Sequence, residues 1–138
     1  MIIRKAKIED CSDCEKLAKI PEFRNASGYY PRIEWMEAFV KEGQIFLVAE
    51  EGKETVGFVM GERTAGNLGL LHLIVVKKEH RSKHAGKKLL EAFEEECRKR
   101  KLIVSYLYGF AGNSETIEFF EKNGYHKGEL MHEMGKLL

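Results

Sequence analysis

The sequence predicts one α/β (α+β) domain over residues 1–138, and three observations lead there. Short β-prone runs alternate with segments of helical period, in the order β α α β β β α β α β(β). The run Leu68–Val76 is mostly apolar, as a strand at the centre of a sheet is when both its faces are covered. No repeat, low-complexity tract or linker divides the chain.

Ile2–Lys7 reads as the opening strand. A helix follows from about Cys11 to Ile20, with Asp10 as its N-cap, Cys14, Leu17 and Ala18 on its apolar stripe, and Pro21 as its stop. Glu22–Pro31 carries turn residues and three aromatics and reads as a loop. Pro31 suits the first turn of a second helix, with Ile33, Met36, Phe39 and Val40 at helical spacing and Gly43 at its end. Ile45–Ala49 and Thr55–Glu62 form a hairpin across a charged turn containing Gly52. Leu68–Val76 is the fourth strand. A basic turn leads into a long helix, Ala85–Lys101, whose stripe is Ala85, Leu89, Leu90, Phe93 and Cys97. Leu102–Tyr108 is the fifth strand. Ser114–Lys122 is a short helix stopped by Asn123-Gly124, and Tyr125–Lys136 has room for one or two closing strands.

Composition narrows the classes of function. At 43% hydrophobic and 33% charged, the chain has the make-up of a globular domain, which excludes disordered and fibrous classes. Its 23 Lys and Arg against 22 Asp and Glu leave no broad basic surface for nucleic acid or membrane. Charge enters within five residues of Met1, so no secretory signal is read. Leu68–Val76, interrupted by Gly69 and His72, is too short to span a bilayer, and the expected location is cytoplasmic. Cys11 and Cys14 make a Cys-x-x-Cys pair, yet a structural zinc site needs four ligands and the remaining cysteine is Cys97. Both thiols are read as core positions of the first helix, and no metal is expected.

Charge is concentrated at one place. Lys77, Lys78, Arg81, Lys83, Lys87 and Lys88 stand within twelve residues against the single acid Glu79. They lie where a strand gives way to a helix, where free backbone N–H groups and the helix dipole attract an anion. Gly86 lets backbone approach a phosphate closely. A solvated charged turn is the competing reading, and the chain contains no Walker sequence.

Two motifs in order weigh against that competitor. Arg81-Ser82-Lys83-His84-Ala85-Gly86, after an apolar strand, resembles the R/Q-x-x-G-x-G/A signature of the GNAT superfamily of N-acetyltransferases. Asn113, the helix carrying Phe119-Phe120-Glu121-Lys122, and Gly124-Tyr125 resemble that family's downstream element, and the likeness covers nearly the whole chain. The resemblance implies a mixed, mostly antiparallel sheet splayed between strands 4 and 5, with about four helices on both faces. It implies acetyl-CoA as acyl donor. Backbone along Ile74, Val75 and Val76 would line the pantetheine arm, and the amides from Ser82 through His84, Ala85, Gly86 and Lys87 would hold the pyrophosphate. Arg81 and Lys83 would add charge, and Asn113 would reach the cofactor from the other side. Phe23–Tyr30 and the second helix would form the acceptor wall. The first glycine of the phosphate motif is His84 here, which a helical φ would accommodate. The tyrosine that acts as general acid in many members is Phe120, beside the cofactor.

The implied reaction is acetyl transfer to a primary amine, by direct attack in a ternary complex. An alkyl amine of pKa about 10 is neutral in only about one molecule in a thousand at pH 7, a handicap of about 4 kcal/mol that a general base removes. The family often places a carboxylate on the fourth strand, and that position aligns with Leu70. His72, two residues on and on the same face, is the first candidate base. Glu62 on the neighbouring strand is the second. Tyr108 or Tyr106 would protonate the leaving thiolate, and a backbone N–H near Ile74 would meet the oxyanion. A non-catalytic acyl-CoA-binding sensor or interaction module is the alternative. The identity of the amine acceptor stays open, as does oligomeric state, a homodimer included.

Overall fold

A computed structural model describes residues 1–109 and 112–138. Strands β1 (Ile2–Lys5), β2 (Ile45–Glu51), β3 (Glu54–Thr64), β4 (Leu68–Val76) and β5 (Val104–Tyr106) form one sheet in chain order. Every neighbouring pair is antiparallel except β4–β5, which is parallel. Helices α1 (Cys11–Leu17) and α2 (Ile33–Lys41) cover one face, and α3 (Ala85–Lys99) and α4 (Ser114–Lys122) the other. The mixed sheet with helices on both faces is the expected architecture.

Strand alternation feeds two cores. On β2, Ile45, Leu47 and Ala49 pack toward α3, while Phe46 and Val48 pack toward α1 and α2. Phe93 of α3 and Met36 of α2 anchor the two sides, each fully buried. Close approach of α3 depends on glycine. A Cβ at Gly61 would lie 2.6 Å from the Leu70 carbonyl oxygen and inside the Phe93 ring's contact distance, and one at Gly69 would lie 2.5 Å from Cys97 Sγ. Cys11 and Cys14 are fully buried on the α1 side, and burial pushes both thiols up, that of Cys11 to about 11.

Several boundaries differ from the sequence reading, each for a local reason. α1 stops at Leu17 because Ile20, ahead of Pro21, is held in the extended region. Pro31 stands outside α2. Arg32 is its extended N-cap, and Glu15 Oε2 of α1 accepts the Ile33 N–H at 2.6 Å. Asp10 does not cap α1 through its side chain. Its Oδ2 accepts from Lys7 N–H at 2.7 Å, and its carboxylate takes two Arg4 nitrogens at 2.8 and 2.9 Å. Arg4 also reaches Glu50 of β2 at 2.7 Å and holds the Asp10 carboxyl below the usual carboxylate range. α3 ends at Lys99, and Lys101 turns the chain in the left-handed region at φ +59°. β5 is three residues long rather than Leu102–Tyr108, and Tyr125–Lys136 forms no strand. So short a ladder gives closing strands little edge to pair with. Tyr125 still packs inward, hydrogen-bonded to Ser105, and burial pushes its phenol up to about 12. No described helix is long and apolar enough to cross a membrane.

Candidate functional site

The site begins where β5 leaves β4. Pairing covers Leu68↔Val104, Gly69↔Ser105 and Leu70↔Tyr106 and then stops. From Leu71 to Val76, β4 keeps β3 on one edge and has no strand on the other among the described residues. Lys77 N–H donates to Val56 of β3 at 2.8 Å, so alternation turns the backbone groups of Val75 toward β3 as well. Those of Ile74 and Val76 face the open edge.

At the mouth of this cleft the chain makes a 3₁₀ turn, Lys78–Lys83, and enters α3. Arg81 Nε donates to the Val76 carbonyl at 3.1 Å and folds the turn back onto the strand end. The backbone of Ser82 runs through this turn; its side chain lies outside the described atoms. His84 does not take the helical φ that the sequence reading allowed. It stands at φ +59°, ψ +19°, in the left-handed region where glycine is favoured and histidine is among the better-tolerated side chains. His84 caps α3 without a side-chain hydrogen bond, and the first helical bond runs from Lys88 N–H to the His84 carbonyl at 3.0 Å. The amides of Ala85, Gly86 and Lys87 precede that bond and form an anion-attracting helix start.

Packing does not require glycine at position 86. A Cβ there would meet the Phe119 ring at 3.6 Å and Val76 at 3.9 Å, ordinary contact distances. Glycine inside a helix costs about 0.5–1 kcal/mol relative to alanine, so its use here points to close approach from outside. The basic charge is also less free than the sequence suggests, because the β2–β3 hairpin folds alongside. Glu51 lies 2.9 Å from His80 Nδ1 and 3.9 Å from Lys83 Nζ, Glu54 pairs with Lys77, and Lys87 sits 3.9 Å from Glu91.

The apex of the cleft carries the titratable pair. Met60 pairs with Leu73 and Gly61 with Leu71, which leaves His72 as an extra residue on β4. The bulge reverses the alternation, since Leu71 packs toward α3 while Leu73 packs toward α2. His72 lies on the α2 side, with Trp35 and Phe39 edge-on at centroid distances of 5.3 and 5.8 Å. Its Nε2 is 3.5 Å from Glu62 Oε1 and, among the described residues, is buried without a hydrogen-bond partner. Glu62 is the cross-strand partner of Leu70. The two candidate bases therefore form one pair, joined by the register of β3 against β4.

The profile of the acetyltransferase (GNAT) family matches residues 9–125 of the chain. The chain belongs to that family. Members of the GNAT family use acetyl-CoA. Solved structures agree in fold. A PaiA N-acetyltransferase from Thermoplasma acidophilum, solved with coenzyme A, superposes with TM-score 0.81 at 23% identity, over 96% of this chain and 93% of that one. Ard1 from Thermoplasma volcanium gives TM-score 0.80 at 23% identity, over 93% and 84%. An aminoglycoside acetyltransferase from an uncultured soil metagenomic sample, in complex with sisomicin, gives 0.79 at 14% identity, over 99% and 96%. Among curated proteins, none matches significantly.

In this GNAT chain, the remaining predicted residues fall into four situations. At the position aligned with the family's β4 carboxylate stands Leu70, and Glu62 brings a carboxylate to the same place from β3. Tyr106 and Tyr108 stack edge-on at 5.3 Å on the far arm, where Tyr108 is 66% exposed and its hydrogen bond raises the Tyr106 phenol. Asn113 caps α4, its Oδ1 accepting from Thr116 N–H at 3.1 Å. Phe120 is 6% exposed and packs between Phe119 and Tyr125 in the α3-side core. The ring facing Gly86 is that of Phe119. Sequence reasoning put the second helix in the acceptor wall but missed that Phe119 rather than Phe120 faces Gly86, that Trp35 and Phe39 flank His72, and that Glu51 supplies a counter-charge. Only the helical spacing of Trp35 and Phe39 hinted at any of them.

Proposed function

We propose that this chain is an N-acetyltransferase that moves an acetyl group from acetyl-CoA to a primary amine by direct attack in a ternary complex, residues 1–138 acting as one domain. The observation that carries the reading is the start of α3, which has no side-chain cap and lies beside the unpaired edge of β4. A diphosphate suits the amides of Ala85, Gly86 and Lys87, with Arg81 and Lys83 adding charge. An extended pantetheine arm suits the backbone groups of Ile74 and the Val76 N–H, the Val76 carbonyl being taken by Arg81. A developing oxyanion at the apex is served by a backbone N–H near Ile74. In this reading His72, with Glu62 beside it, takes a proton from the amine, and Tyr106 or Tyr108 gives one to the departing sulfur. A thiol of pKa about 8.5 leaves without much help, so an acid is dispensable. Family members acting on ribosomal-protein alanine and on aminoglycosides keep both protein and small-molecule amines in range.

The test is calorimetric titration with acetyl-CoA, followed by free-thiol release across a panel of amines. Saturable binding and amine-dependent release are expected; a protein that ignores coenzyme A sinks the reading. One observation favours a non-catalytic acyl-CoA-binding module as a second reading. Phe120, at the family's tyrosine position, offers no proton. That reading predicts binding without thiol release on any acceptor.

A further inference from the structure

We infer that Glu62 and His72 act as a carboxylate–imidazole dyad, in which Glu62 holds the proton on Nε2 and leaves Nδ1 as the base that receives the acceptor's proton. The inference rests on the transferase reading and assigns that site's atoms. Four observations support it. His72 Nε2 is enclosed and, among the described residues, lacks a hydrogen-bond partner, a condition rare enough in folded proteins to need a cause. Glu62 Oε1 stands 3.5 Å from it, longer than a hydrogen bond and within the slack that catalytic pairs show before substrate binds. Trp35 and Phe39, with centroids 5.1 Å apart, both pack edge-on against the ring and cover one side of it. With Nε2 enclosed, the 28% of the side chain that stays accessible belongs to its other atoms.

Those constraints divide the labour between the two residues. A carboxylate beside one imidazole nitrogen fixes the tautomer and leaves a lone pair on the other. Placing the carboxylate on β3 and the imidazole at a β4 bulge sets His72 two residues past Leu70↔Tyr106, where the open edge begins. In the reaction the ammonium gives one proton to Nδ1, and the freed nitrogen pair forms the new N–C bond as the C–S bond breaks. The nitrogen's second proton passes to the departing sulfur, and His72 returns its own to solvent. Glu62 touches no reacting atom and is a positioning residue.

The experiment joins ¹⁵N NMR of the histidine rings, on the full chain without acetyl-CoA, to kinetics of the same variants. In the unsubstituted protein, His72 is expected in the Nε2–H form. Glu62→Ala should turn that into a tautomer mixture and lower kcat about 10- to 100-fold, with the KM for acetyl-CoA unchanged. Glu62→Gln, whose amide oxygen still accepts a hydrogen bond, should restore the tautomer. In a His72→Ala background, Glu62→Ala should cost nothing further, because a residue acting only through His72 has nothing left to act on. A proton on Nδ1 in the unsubstituted protein, full kcat in Glu62→Ala, or losses that add in the double variant would each overturn the dyad. An Nε2–H signature that depends on Glu62, in a protein that acetylates no amine, would overturn the base role and the transferase reading together while leaving the pairing itself in place.

Discussion

At its N-terminal end β4 is enclosed. β5 pairs with Leu68–Leu70, β3 holds the opposite edge, and α3 lies so close over Gly69 that a Cβ would sit 2.5 Å from Cys97 Sγ. Six residues further on, the same strand has lost β5, and α3 starts above it with ordinary contact distance to spare at Gly86. The contrast separates two uses of glycine. Gly61 and Gly69 are small because protein atoms occupy the space, whereas among the described residues no protein atom explains Gly86. The closed end spends its interactions on stability. The open end leaves backbone groups without a strand partner among the described residues and a helix start without a side-chain cap.

The largest expected effect breaks the closed end. Gly61→Ala forces a Cβ against the Leu70 carbonyl and the Phe93 ring, and should lower the unfolding free energy by about 3 kcal/mol in urea titration. A loss below about 0.5 kcal/mol would mean the closed end relaxes as easily as the open one. Next comes the ion cluster on the same scaffold. Asp10→Ala removes the acceptor for Lys7 N–H and Arg4 and should cost about 2 kcal/mol at pH 7. Because Arg4 lowers the Asp10 pKa in the folded protein, this stability is fully present above the unfolded value of about 3.9 and is lost as pH falls through the lower folded value. The gap between Asp10→Ala and the parent should therefore close on acidification.

At the open end the signs should reverse. Gly86→Ala is expected to raise stability by about 0.5–1 kcal/mol while weakening coenzyme A binding about tenfold, read by calorimetry. A variant that is stabilised and binds as before would remove Gly86 from the site. The smallest effect is at His84. Left-handed backbone costs a non-glycine residue about 1–2 kcal/mol, and glycine's extra unfolded-state freedom offsets about 0.5–1 of it. His84→Gly should gain roughly 0.5 kcal/mol, seen as a small rise in melting temperature.

Much of this was legible in the residues themselves. Cys14, Leu89 and Phe93 sit at helical spacing and are buried as that spacing predicts, and Ser114–Lys122 is a helix with the boundaries its signals set. The segment that resembles the family's signature was recognisable because its Arg, His and Gly positions fall within six consecutive residues. Asp10 misled, since an acidic residue before a helix serves equally well as a cap or as an ion-pair partner. Only Arg4, six residues back, selected the second role. The closing strands misled for a related reason, because β-prone residues become a strand only where an edge exists to pair with.

Taken alone, the sequence determined the family, the order of elements and the strand-turn-helix at residues 76–86, because spacing, capping and propensity act within a dozen residues. Tertiary structure alone decided that Glu62 stands beside His72, that Glu51 neutralises part of the basic turn, and that Phe120 faces the core while Phe119 faces Gly86. Each of those depends on register across strands or on the rotation of a packed helix. One residue of slip at the β4 bulge would send His72 to the opposite face, and nothing in a run of leucines and valines marks where that slip falls.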